Sequence, residues 1–129
     1  MKRKKILFAC TENSCRSQMA SAFAQYYAGD KIEALCGGSN PSTSINPLME
    51  QAMKEKGIDM GFRKPQSIDT AISHSKPDLI ITMGCNEAAC PVIPNVDIID
   101  WNIPDPSEKP IEFMRDIRDT IEKKVLELT

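Results

Sequence analysis

One short segment limits what this chain can become: Cys10-Thr11-Glu12-Asn13-Ser14-Cys15-Arg16, followed at once by Ser17. It places a cysteine and an arginine at the two ends of a loop. The loop follows the apolar run Ile6-Leu7-Phe8-Ala9, which reads as a buried strand, and it leads into a segment with helical spacing. A junction of this kind suits a tetrahedral oxyanion. The loop's N–H groups and a guanidinium can converge on the anion, with the cysteine sulfur behind it as nucleophile.

The rest of the chain alternates between the same two kinds of element. From Ser17 to Ala28, the residues Met19, Ala20, Phe23, Ala24 and Tyr27 recur on one helical face, and Gly29 marks the stop. Tyr26 and Tyr27 read as packing residues. Ile32 to Cys36 is expected as a second strand, ended by Gly37-Gly38. After a Ser- and Pro-rich loop over 39–45, Asn46 caps a helix with Pro47 in its first turn. Leu48, Met49, Ala52 and Met53 form that helix's apolar face, and Gly57 ends it. A shorter helix is expected around Ser67 to Ser73, a buried strand over Asp78 to Met83, and a last strand over Val96 to Trp101. Loops span Gly84 to Pro94 and Ile103 to Pro110. Beyond them Ile111, Met114, Ile117, Ile121, Val125 and Leu128 keep helical spacing.

Strands that alternate with helices imply an α/β fold. The expectation is a three-layer sandwich, with a four-stranded parallel sheet and helices on both faces. Ligands of such folds sit beyond the carboxyl ends of the strands. Cys10 follows the first strand, Cys85 the third and Asp105 the fourth, so all of them are expected on one rim.

A chain of 129 residues suffices for one domain with a real core, expected here over 1–129. A formal net charge of −2 argues against a nucleic-acid surface, so positive potential must be local. The basic start Met1-Lys2-Arg3-Lys4-Lys5 is followed by an apolar run too short for a signal peptide, and no stretch reaches transmembrane length. Five cysteines, an odd number, fit a reducing compartment, so a cytoplasmic location is expected. Cys85 and Cys90 alone do not make a four-ligand zinc site, and the lone His74 lies in a polar stretch. No metal, cofactor or membrane partner is expected.

The loop amides, the start of the following helix and Arg16 all favour an anion at Cys10, which therefore reads as a thiolate nucleophile. Ser17 can donate to its sulfur. Arg16 suits an oxyanion because its planar fork bonds two oxygens at once. Asn13 can take left-handed backbone geometry and tie the loop through its amide. The competing reading makes Cys10 a packed strand-end cysteine and Arg16 a surface residue; the strand before, the serine after and the helix beyond weigh against it.

At these residues the chain resembles a known family. Cys10 to Arg16 with Ser17, together with Asp105-Pro106, look like the low-molecular-weight protein tyrosine phosphatase fold. The stretch from Cys10 to Ala20 is similar to the thioredoxin-coupled arsenate reductases built on that fold, and the likeness runs from the first strand to the last helix. The resemblance implies arsenate as substrate and a thiol relay. Cys10 attacks arsenic; Cys85 then attacks Cys10, arsenite leaves, and a Cys10–Cys85 disulfide forms. Cys90 next attacks Cys85, and thioredoxin reduces the resulting Cys85–Cys90 disulfide. The alternative is a low-molecular-weight protein tyrosine phosphatase whose extra cysteines only protect the nucleophile. A third reading is a sensor that binds an oxyanion or arsenite without turnover.

Asp105 lies between Pro104 and Pro106 and is expected to hold a carboxyl over the anion pocket as general acid. Ser107 stands where the phosphatases of this fold commonly carry an aromatic residue, which weakens the phosphatase reading. An inward Glu12 would repel arsenate, so Glu12 is expected to face solvent. Cys15 reads as a packed or supporting thiol and Cys36 as a core residue.

Overall fold

The computed structural model describes residues 3–73, 76–84 and 95–129. In chain order the elements are β1 (Lys4–Cys10), α1 (Arg16–Ala28), β2 (Ile32–Gly38), α2 (Pro47–Lys54), α3 (Ile68–Ala71), β3 (Leu79–Thr82), β4 (Asp97–Asp100) and α4 (Ile111–Leu128). The four strands form one sheet in the order β2-β1-β3-β4, and every pairing is parallel. The chain order reverses at β1, so the crevice past the carboxyl end of β1 is the natural ligand position. Cys10 is the last residue of that strand.

Parallel strands survive only when both faces are covered. Ile6 and Phe8 of β1 and Ile81 of β3 join Met19 and Phe23 of α1, Met49 of α2 and Ile117 and Ile121 of α4 in one buried cluster. Leu7 and Ile80 point to the other face and are also fully buried. Each such side chain contributes about 1.5–3 kcal/mol by leaving water. Helix α1 is buried on nearly its whole circumference from Arg16 to Ala24, because it packs against β1, β2 and α4 together. Its run of alanines permits that close approach.

Helix α2 begins as expected. The Asn46 side chain accepts from the N–H groups of Leu48 and Met49, and Pro47 occupies the first turn. Such a cap is worth about 1 kcal/mol. On its far side, Glu55 bonds both Arg115 at 2.7 Å and Arg118 at 2.8 Å, which ties the end of α2 to α4. No helix among the described residues is long and apolar enough to cross a membrane.

Two expectations fail locally. Gly37 and Gly38 do not stop β2; they continue it, paired with Ala9 and Cys10. Their smallness answers a close approach instead of a turn. A Cβ on Gly37 would lie 2.8 Å from Ile68 Cα, and one on Gly38 would lie 2.5 Å from the Thr11 carbonyl oxygen. Tyr27 is not part of the packed face of α1, and both it and Tyr26 are exposed. The helix has outrun the core there, so Tyr27 turns its hydroxyl to Glu122 on α4. That bond, ahead of partial burial and the Glu122 charge, pushes the Tyr27 phenol up to about 12.

Candidate active site

The loop is held from outside by its carbonyl groups. Thr11 O accepts from Asn40 N–H, Glu12 O from Ser42 N–H, and Ser14 O from Asn46 N–H, at 2.8–3.0 Å. The Asn13 carbonyl accepts from the Gln18 side chain, and the Cys15 carbonyl from Met19 N–H in the first turn of α1. With the carbonyls turned outward, the N–H groups are left for the concave side. Among the described residues, none accepts a hydrogen bond from the amides of 11–16. This is the geometry of an anion nest at a helix start.

Asn13 makes that curvature possible. It sits at φ 53°, in the left-handed region, and is fully buried. Its side chain is fixed from both ends: Oδ1 accepts from the Gln66 backbone N–H at 2.9 Å, and Nδ2 donates to Ser17 Oγ at 2.7 Å. Ser17 Oγ in turn lies 2.9 Å from Cys10 Sγ. Ser17 meets Asn13 as an acceptor and so keeps its own proton available to the sulfur. A donor pointed at sulfur suits a thiolate.

Arg16 closes the other end. Its Nη1 donates to the carbonyl oxygens of Met83 at 2.6 Å and Ile103 at 2.8 Å. This buried guanidinium therefore ties the Cys10 loop to the end of β3 and to the loop after β4. A small pocket of about 20 Å³ is lined by Cys10, Thr11, Glu12, Ser14, Cys15, Arg16, Asp105 and Ser107. A wider cleft of about 500 Å³ adjoins it and shares Glu12, Ser14, Asp105 and Ser107.

Asp105 is on the pocket wall, but its carboxylate is occupied. Oδ1 accepts from Ser107 N–H at 2.9 Å and from Ser107 Oγ at 2.7 Å. Burial raises the carboxyl, yet the two Ser107 bonds and the Arg16 charge together hold it below its usual value.

The sequence profile of the low molecular weight phosphotyrosine protein phosphatase family matches residues 5–129. The chain belongs to that family. Among curated relatives, it is 38% identical to arsenate reductase 2 of Staphylococcus epidermidis, over 97% of this chain and 95% of the relative. Among solved structures, an arsenate reductase in the phosphate binding state superposes with a TM-score of 0.84 at 30% identity, covering 97% of this chain and 95% of the other. The thioredoxin-dependent arsenate reductase of Corynebacterium glutamicum gives 0.78 at 34% identity, covering 98% of this chain and 60% of the other. The α/β architecture is thus that of the low-molecular-weight phosphatases.

Within this low-molecular-weight phosphatase framework, Cys10, Thr11, Glu12, Ser14, Cys15, Arg16 and Asp105 meet at one pocket, with Asn13 and Ser17 directly behind it. Glu12 is exposed, as expected, and its carboxylate accepts from Ser42 Oγ at the rim. Cys15 is buried with its thiol against Met114 Sδ at 3.3 Å, and burial pushes that thiol far up, followed by the nearby Cys10. Cys36 is buried as well, and burial is again the largest effect on its thiol. Cys85, Cys90 and His74 lie outside the described residues.

Sequence reasoning missed the supporting groups. Gln18 binds both oxygens of Asn13 that face it; the Gln66 amide fixes Asn13, and Ser107 engages Asp105. Gln18 alone left a signal, as a long polar side chain one position before the apolar and small stretch Met19 to Ala24.

Proposed function

We propose that this chain reduces arsenate to arsenite through Cys10, Cys85 and Cys90. The observation that carries the reading is the Arg16 clamp. It binds the Met83 carbonyl at 2.6 Å, so the chain two residues before Cys85 stands at the mouth of the Cys10 loop. The family fold, the arsenate reductase relatives and the oxyanion-shaped loop support the same conclusion.

Arsenate binds with its oxygens on the loop amides and Arg16. The Cys10 thiolate attacks arsenic, and one oxygen leaves as water. Asp105 enters as a carboxylate, because Ser107 and Arg16 favour its ionised form. The substrate reacts as dihydrogen arsenate: Asp105 takes the proton from one As–OH and passes it to the other, which already carries its own and departs as water. Cys85 then attacks the Cys10 sulfur. The sulfur–arsenic bond breaks, and its electron pair stays on arsenic, so As(V) becomes As(III) as a Cys10–Cys85 disulfide forms. Cys90 attacks Cys85 and releases the Cys10 thiolate. A dithiol protein of the thioredoxin kind reduces the Cys85–Cys90 disulfide and closes the cycle in a reducing, cytoplasmic setting.

The test is arsenate-dependent oxidation of reduced thioredoxin. Changing Cys10, Cys85 or Cys90 to Ser abolishes multiple turnover; full turnover by the Cys85→Ser protein overturns the relay. The second reading, a phosphatase, has the family resemblance in its favour. It requires steady aryl phosphate hydrolysis that is indifferent to Cys90→Ser.

A further inference from the structure

At the carboxyl ends of β3 and β4, Thr82 and Asp100 stand side by side in the sheet register, two residues before the position of Gly84. The buried Thr82 hydroxyl donates to Asp100 Oδ1 at 2.7 Å. The same oxygen accepts from the Gly84 N–H at 2.7 Å. Among the described residues, no other acceptor meets that N–H. The chain has left the sheet ladder at this point. Met83 N–H still reaches the Ala9 carbonyl at 3.1 Å, but Gly84 sits at φ +100°, a conformation that a side chain disfavours.

The Met83 carbonyl and the Gly84 N–H are the two ends of one peptide group. Arg16 Nη1 donates to its oxygen at 2.6 Å, and Asp100 accepts from its N–H. A cation at the oxygen and a carboxylate at the N–H follow the peptide's own dipole, and both bonds are charge-assisted. The bond to Arg16 fixes where the oxygen lies but leaves the peptide free to turn about it. The bond to Asp100, at the opposite end, fixes the plane. The Gly84 Cα is placed with it, and Cys85 is the next residue in the chain. Asp100 does not line the anion pocket, so it reaches the chemistry only through this peptide.

We propose that Asp100 is a positioning residue for the thiol relay: with Arg16 it clamps the Met83–Gly84 peptide and so sets the point from which the chain runs on to Cys85. The inference rests on the reading of Cys85 as the thiol that attacks Cys10. It gives Asp100 no part in binding the oxyanion or in activating Cys10.

The experiment uses the full chain carrying Cys90→Ser, in which a Cys10–Cys85 disulfide has no onward acceptor and is counted by mass spectrometry. One arm starts the reduced protein with arsenate. The other uses diamide, a two-electron thiol oxidant, without arsenate. Asp100→Ala slows formation of the Cys10–Cys85 disulfide by about tenfold in both arms, the scale of one lost hydrogen bond to a charged group. Asp100→Asn, which keeps an oxygen acceptor, stays within about threefold of the parent protein. Binding of inorganic phosphate and iodoacetamide labelling of Cys10 at neutral pH stay within about twofold in both variants, because Arg16 keeps its bond to the Ile103 carbonyl. If Asp100→Ala does not fold, Asp100→Leu, similar in outline but without an acceptor, carries the test. Unchanged disulfide formation in whichever of these proteins folds, or phosphate binding and Cys10 labelling that fall in step with it, overturns the proposal. A parent protein that forms the disulfide with diamide and not with arsenate fails the reductase reading, and the diamide arm then decides this one; no disulfide in either arm overturns both.

Discussion

The Ser17 hydroxyl lies 2.9 Å from the Cys10 sulfur and itself accepts a hydrogen bond from Asn13 at 2.7 Å. Because Ser17 meets Asn13 as an acceptor, its own proton remains available to the sulfur. Ser17→Ala therefore removes a donor available to the sulfur and takes from Asn13 Nδ2 its oxygen acceptor. A hydrogen bond to a charged group is worth about 1.5–3 kcal/mol, so Cys10 labelling at neutral pH falls by about tenfold or more. Ser17→Thr, which keeps the hydroxyl, retains most of the rate. Equal rates in the serine and alanine proteins would remove this bond from the mechanism.

Gly38 provides a test of the loop's seat. A Cβ there meets the Thr11 carbonyl at 2.5 Å and the Asn13 amide nitrogen at 2.9 Å, and both neighbours are backbone. Neither can swing aside, so Gly38→Ala displaces the cradle. The expected result is a loss of about 1–3 kcal/mol in denaturant unfolding, with weaker phosphate binding. Gly57 is the contrasting case. A Cβ there meets nothing within 4 Å, but its φ of +79° disfavours a side chain. Gly57→Ala costs about 1 kcal/mol and leaves phosphate binding untouched.

Asp105 and Ser107 make a prediction about pH. The folded-state carboxyl lies below its usual value, so the ionised form is favoured; any stability it contributes is present above the ordinary carboxylate range and lost as pH falls through the folded value. Ser107→Ala removes one of the two bonds to Oδ1 and lets the carboxyl rise. The acid limb of arsenate kcat/KM moves toward neutrality, with activity near pH 4 down about two- to threefold and the neutral plateau kept. A profile identical to the parent protein's would take Asp105 out of the proton transfer.

Acid stability tests a site far from the pocket. The hydrogen bonds from Arg115 and then Arg118 lower the Glu55 carboxyl to about 2. Its contribution is complete above the ordinary range near 4.5 and is lost as pH falls toward about 2. Glu55→Gln lacks that contribution at neutral pH, so its thermal midpoint is lower there and converges on the parent protein's in acid. A constant gap down to the lowest pH would show that Glu55 acts through packing.

The loop was legible because strand, turn and helix are consecutive. Buried apolar residues, a residue able to take positive φ, and a helix start all lie within a few positions of Cys10, and local geometry does the rest. The rim position of Asp105 was also legible, since parallel topology sends every strand's carboxyl end to one side. Gly37 and Gly38 were misread because glycine has two uses. Whether it ends a strand or admits a neighbouring backbone depends on Ile68 and Thr11, which are remote in sequence or only later brought alongside.

Residue order alone pointed to the candidate nucleophile, to the arginine at the other end of its loop and to the family, because all of these reside in one contiguous segment. Tertiary structure decided what that segment can do with a proton. The donors that orient Asn13 come from Gln18 and Gln66, and Arg16 finds its carbonyl partners at Met83 and Ile103. A hydrogen bond's direction depends on which groups meet across space, and side chains tens of residues apart meet only once the sheet has closed around β1.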